Sequence, residues 1–175
     1  MKDTIPLQFG YKQITLENWL APDLPHYFPE ITPELRLGAV LRPKLELKVP
    51  EEVRDHFERA RSLFVYGYLF YPLSTLAGEH CQRVAEAALA AKCKAIGLAA
   101  AKSKKNGLLA PFSFSENIDR LKKAGVLSKA DADWWDNTRK LRNRASHLEG
   151  QTMLAPGFML GTLSTIAARV NALFQ

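Results

Sequence analysis

Seven of the ten prolines fall in the first fifty residues: Pro6, Pro22, Pro25, Pro29, Pro33, Pro43 and Pro50. Each removes a backbone N–H and biases the residue before it away from helical geometry. Residues 1–50 are therefore expected to form an extended, turn-rich arm. Only Pro72, Pro111 and Pro156 interrupt the remainder, so long helices are permitted in a body of residues 51–175. The arm is not low-complexity: Trp19, Leu20, Tyr27 and Phe28 are residues that usually bury, and packing across the body is the expectation. Within it, the run Leu35-Arg36-Leu37-Gly38-Ala39-Val40-Leu41 and the alternation Lys44-Leu45-Glu46-Leu47-Lys48-Val49 suggest a short hairpin.

In the body, Pro50-Glu51-Glu52 reads as a helix start, with acids where the helix dipole favours them. Val53, Phe57, Ala60 and Phe64 then recur at helical spacing towards Phe70. After Pro72 an alanine-rich helix is predicted from about Ser74 to Ile96. Gly97, Gly107 and Pro111 bracket a lysine-rich connector with room for a helical turn at Leu98 to Ala101. Ser115 is read as capping a helix from Glu116 to Ala124, and Ser128 one from Lys129 to about Leu148. A last helix is predicted from Gly157 to Phe174; its only charge is Arg169, so burial at the centre of the bundle or under a second subunit is expected. The predicted fold class is all-α: an antiparallel up-down helical bundle of about five helices with an extended Pro-rich N-terminal arm.

A chain of 175 residues with 47% hydrophobic content can build its own core. No apolar run reaches the length of a membrane span, and the first residues lack a signal peptide's apolar segment, so the expectation is a cytoplasmic protein without membrane association. The formal charge of +6 is unevenly placed. Residues 1–50 hold six basic and six acidic side chains and are neutral. The excess lies in Lys92, Lys94, Lys102, Lys104 and Lys105, with no acid between Glu86 and Glu116, and in eight basic residues against three acids from Arg120 to Arg144. Such excess suits a polyanion.

Several chemistries are disfavoured. Gly97, Gly107 and Gly125 stand alone and build no phosphate loop, and no Gly-x-Ser-x-Gly elbow occurs. His26, His56, His80 and His147 show no metal-ligand spacing. Cys81 and Cys93 read as small core residues. Neither metal nor cofactor is expected.

One constellation stands apart, Leu141-Arg142-Asn143-Arg144-Ala145-Ser146-His147 at the end of the penultimate predicted helix. Asn143 and His147 share a helix face at a spacing of four, and Arg144 and His147 at three. Arg142 and His147 are five apart, about 140° around the axis, so they converge only if their side chains bend towards one small ligand. Two readings follow: a guanidinium and an imidazole around a phosphate, or a cationic helix end favoured by the macrodipole, with Arg139, Lys140, Arg142 and Arg144 as a solvated face.

Arg142-Asn143-x-x-x-His147, late in the chain after two long helices, resembles the motif of the HEPN superfamily (higher eukaryotes and prokaryotes nucleotide-binding domain): Arg, four to six residues, then His, with a polar residue after the Arg. Glu79, Arg83 and Glu86 share a face of the second long helix, where an acidic residue recurs in several branches. The resemblance spans roughly residues 51–174. It implies a metal-independent endoribonuclease, or a relative that keeps the fold and only binds nucleotide, RNA or a protein. It also implies a homodimer whose two motifs line one cleft, with RNA as substrate and an antitoxin as a possible partner. In that frame His147 is the general acid or base, Arg142 holds the scissile phosphate, and Asn143 orients either. Glu79 is a candidate to orient Arg142 or His147, or else to pair with Arg83. Arg144, Arg139, Lys102, Lys104 and Lys105 are candidate backbone contacts, or solvated charges. Trp134 and Trp135 are candidates for base stacking or for core.

Overall fold

The computed structural model describes residues 12–23, 32–145 and 156–175. Among them are six helices and one small hairpin: α1 (Pro33–Leu41), α2 (Glu51–Tyr66), α3 (Pro72–Ala95), β1 (Ala101–Ser103), β2 (Leu109–Pro111), α4 (Phe114–Lys123), α5 (Lys129–Ala145) and α6 (Pro156–Leu173). The bundle is assembled around α3, which touches α2, α4, α5 and α6. Its buried Ala77, Cys81, Val84, Ala85, Ala88 and Leu89 meet Val53, Phe57, Ala60 and Phe64 of α2 and Met159, Leu163, Ile166 and Val170 of α6 in a single core. Small residues dominate the α3 contribution, which lets its neighbours approach closely. At Gly78 an added Cβ would lie 1.7 Å from Met159 Cε.

Two local expectations are corrected. Residues 35–41 are helical, not the first strand of a hairpin, and residues 44–49 form a turn rather than its partner. The Thr32 hydroxyl accepts from Leu35 N at 3.2 Å, and Pro33 occupies the first helical position, where its missing N–H costs nothing. The hairpin lies instead in the lysine-rich connector, where Leu98 to Ala101 form no helical turn. There β1 and β2 pair antiparallel, Lys102 opposite Ala110. Its turn closes through Gly107 N to Lys104 O at 2.9 Å and Lys104 N to Leu108 O at 2.8 Å, with Gly107 at φ 78°. The dipeptide Asn106-Gly107 is a known turn signal, so this hairpin was legible.

Helix ends shift by a few residues. α2 stops at Tyr66 and a turn covers residues 67–71 before α3. α4 is capped by Ser113 rather than Ser115, with a reciprocal capping box to Glu116. The arm contacts the α2–α3 turn. Lys12 Nζ donates to Leu69 O and Ala21 O, both at 2.6 Å, Asp23 N donates to Tyr68 O at 2.8 Å, and the Asp23 carboxylate accepts from Tyr71 N at 2.8 Å. α6 is not central. It buries Met159, Leu163, Ile166, Ala167, Val170 and Leu173, and leaves Gly161, Ser164, Thr165, Ala168 and Ala172 exposed. Its lack of charge reflects small residues on the outer face.

Candidate functional site

Ser128 starts α5: its hydroxyl accepts from Asp131 N at 3.1 Å and donates to the Asp131 carboxylate at 2.6 Å. Ala132, Trp135 and Thr138 are then buried at spacings of three, and Arg142 follows at four. Arg142 thus continues the edge of α5 that faces α3. Its guanidinium meets the Glu86 carboxylate there, Nη2 to Oε2 at 3.3 Å, and donates to Asn143 Oδ1 at 3.4 Å. The Arg142 and Glu86 side chains are 38% and 35% exposed. A pair so open to water contributes about 0–1 kcal/mol. A phosphate, able to accept two charge-assisted hydrogen bonds from a guanidinium fork, can compete with Glu86 for it.

The acid set against Arg142 is therefore Glu86, two turns further along α3 than Glu79. Glu79 ion-pairs with neither Arg142 nor Arg83 among the described residues. Spacing cannot choose between two acids on one helix face, because the choice depends on how far α5 is shifted along α3. Arg139 is held on its own helix by Asp136 at 2.7 Å, and Lys140 shares that carboxylate at 2.9 Å. The hydrogen bonds from Lys140 and Arg139 lower the Asp136 pKa. His147 and the side chain of Arg144 lie outside the described residues.

The lysines of the connector are not brought to Arg142. Lys102 is paired with Glu116 at the start of α4, and Lys104 and Lys105 are exposed on the hairpin turn. That hairpin leaves the far end of α3, nine residues beyond Glu86, or about 14 Å of helix. A small cleft of about 190 Å³ opens between α3 and the hairpin, lined in part by Cys93, Lys94, Phe112, Asn117 and Arg120. In it Arg120 stacks on the Phe112 ring at 3.6 Å and donates to Ala99 O at 2.6 Å. Trp135 is core, 2% exposed, and Trp134 packs edge-on against it with Arg169 over its ring at 5.0 Å. Both serve the bundle, so neither ring is presented as a stacking platform.

One further constellation is not visible in the sequence, the meeting of His56 on α2 with His80 on α3, Nδ1 to Nε2 at 3.4 Å. No spacing rule within one segment finds it, since it forms only when α3 folds back on α2. No group of three or more His, Cys, Asp or Glu side chains among the described residues is arranged to hold a metal. No helix among them is long and apolar enough to cross a membrane. Comparison with protein families, with curated proteins and with solved structures finds no match for this chain.

Proposed function

We propose that this chain is a metal-independent endoribonuclease of HEPN type, acting as a cytoplasmic homodimer in a toxin–antitoxin or defence setting. The observation that carries the reading is the Arg142–Asn143 pair at the α3-facing edge of α5, with Arg142 in a partly exposed contact with Glu86. The sequence brings His147 five residues after Arg142. In this reading one imidazole removes the proton from a ribose 2′-hydroxyl, and the 2′-oxygen attacks the adjacent phosphorus. The 5′-oxygen leaves with a proton from a second acid, which the dimer's other His147 supplies. Arg142 stabilises the negative charge that builds on the phosphate oxygens, and Asn143 fixes the guanidinium in place. Glu86 keeps Arg142 extended until the phosphate displaces it.

The Glu86 contact also supports a second reading, a HEPN-like module that binds nucleotide, RNA or a protein without cleaving. In that case the Arg142–Glu86 pair simply joins α5 to α3. Product chemistry separates the two. Single-stranded RNA incubated with the protein in EDTA is expected to yield 2′,3′-cyclic phosphate and 5′-hydroxyl ends, and the 2′-O-methyl version of the same oligonucleotide to stay intact. Binding of both oligonucleotides with cleavage of neither favours the second reading.

A further inference from the structure

The two long helices each carry the sequence His-x-x-Arg: His56-Phe57-Glu58-Arg59 on α2 and His80-Cys81-Gln82-Arg83 on α3. A spacing of three puts the arginine on the same face as its histidine, about 4.5 Å further along the axis. The turn of residues 67–71 folds α3 back along α2, and the two histidines meet where the helices pack. The two motifs are thus related by an approximate two-fold axis through the His–His contact. Arg59 and Arg83 flank it from opposite directions along the groove, on side chains long enough to bend over the rings.

Among the described residues no carboxylate is ion-paired with this cluster. Arg61, Arg139, Arg142 and Arg169 each meet a carboxylate, whereas neither Arg59 nor Arg83 ion-pairs with one among the described residues. Of the neighbouring acids, Glu58 is taken by Arg61 and Glu52 lies at the cleft beside Lys94. Asp55 and Glu79 stand one turn before Arg59 and Arg83 and Glu86 one turn after Arg83, but among the described residues Asp55 and Glu79 make no ion pair and Glu86 meets Arg142. Burial lowers the His80 pKa most, and the other groups acting on it, His56, Arg83 and Arg59, are all basic and lower it further. Both arginines are exposed and both histidines half-buried, so the groove is open to a ligand.

We propose that His56, Arg59, His80 and Arg83 form a binding site for a phosphate-class anion, separate from Arg142. Two guanidinium groups supply charge-assisted hydrogen bonds from either side, and with one ring protonated each imidazole keeps an N–H for the anion beside the bond between the two rings. A bound dianion sets negative charge directly against the two guanidinium groups and the two rings, and so favours the protonated form of a ring it touches. The same chemistry is offered by a nucleic-acid backbone and by free phosphate, and the site stands whether or not Arg142 takes part in cleavage.

The test is an NMR titration of the imidazole resonances of the full chain, with chloride at matched ionic strength as control. One arm uses inorganic phosphate and the other a single-stranded 2′-O-methyl oligoribonucleotide, which cannot be cut by internal attack. Shifts of both His56 and His80 with phosphate are expected, with binding about tenfold weaker in the Arg59→Gln/Arg83→Gln variant. Both arginines are exposed, so the fold is retained there, and His80→Asn serves as a second variant. The same shifts with the oligonucleotide assign the site to a nucleic-acid backbone, and shifts with phosphate alone to a free phosphate or phosphomonoester. Rings that move with neither ligand, or equally in the arginine variant, overturn the proposal.

Discussion

Arg36 is 3% exposed and ion-pairs with no carboxylate among the described residues. Its Nε donates to Phe64 O at 2.9 Å, its Nη2 to Ser74 Oγ at 2.7 Å, and its guanidinium lies 4.7 Å from the Phe64 ring centre. Phe64 O belongs to the last turn of α2, where the helix dipole favours positive charge. Burial lowers the Arg36 pKa, and these acceptors offset part of that cost. Gly67 makes the arrangement possible through space rather than backbone freedom, since its φ of −59° suits any residue. A Cβ there would stand 2.4 Å from Ser74 Oγ and 2.7 Å from Arg36 Nη2. Gly67→Ala is therefore expected to destabilise the fold by about 1–3 kcal/mol, read from urea unfolding; an unchanged midpoint would show that the Arg36 contacts have slack. At this scale the sequence was only partly informative. Arg36 reads as an unremarkable surface charge, because nothing in residues 35–41 announces that Phe64 and Ser74 will enclose it.

The helices show which local signals govern the chain. At the start of α4, Ser113 and Glu116 satisfy each other's backbone donors, and Lys102 from β1 pairs with the Glu116 carboxylate. The Lys102 side-chain hydrogen bond first, then the bonds from Ser113, bring the Glu116 pKa from 4.5 down to about 2. A carboxyl lowered on folding contributes stability that is present above its unfolded pKa and lost as pH falls through the folded one. Glu116→Gln is thus expected to melt below the wild type at neutral pH, with the gap closing between about pH 4.5 and about pH 2. A gap that stays constant down that range would show that Glu116 is not acting as a charged cap. The α3–α6 contact offers a second test. Gly78→Ala should gain up to about 1 kcal/mol of helix propensity and lose about 1–3 kcal/mol to crowding against Met159. Paired with Met159→Ala it should become stabilising, so a double-mutant cycle is expected to show clear coupling; strict additivity would place the two residues out of contact. Element types were legible where a period ran long, as in α2, α3 and α5. α1 departs from expectation because proline density and alternating apolar residues point to extended chain, while the Thr32 cap and Pro33 at the first position start a helix.

For the whole molecule, the helical bundle follows from the alternation of apolar stripes and short connections, both of which the sequence displays. Which helix lies at the centre does not follow from them: α6 has the more apolar composition, yet α3 takes the central position because its alanines, glycine and cysteine admit four neighbours. The candidate site has the same character. Arg142 and Asn143 were legible from a motif on one helix, whereas Glu86 and the His56–His80 contact exist only through packing. In the proposed ribonuclease reading, metal-free RNA cleavage depends on Arg142 and His147. Its most direct test is the rate of single-stranded RNA cleavage in EDTA by the wild type, Arg142→Ala and His147→Ala, with unfolding midpoints measured alongside. Cleavage by the wild type is expected, with a loss of about 10²–10⁴-fold in the His147 variant, a comparable loss for Arg142→Ala and midpoints little changed. Intact RNA with the wild-type protein, or undiminished cleavage by the His147 variant, would contradict that reading.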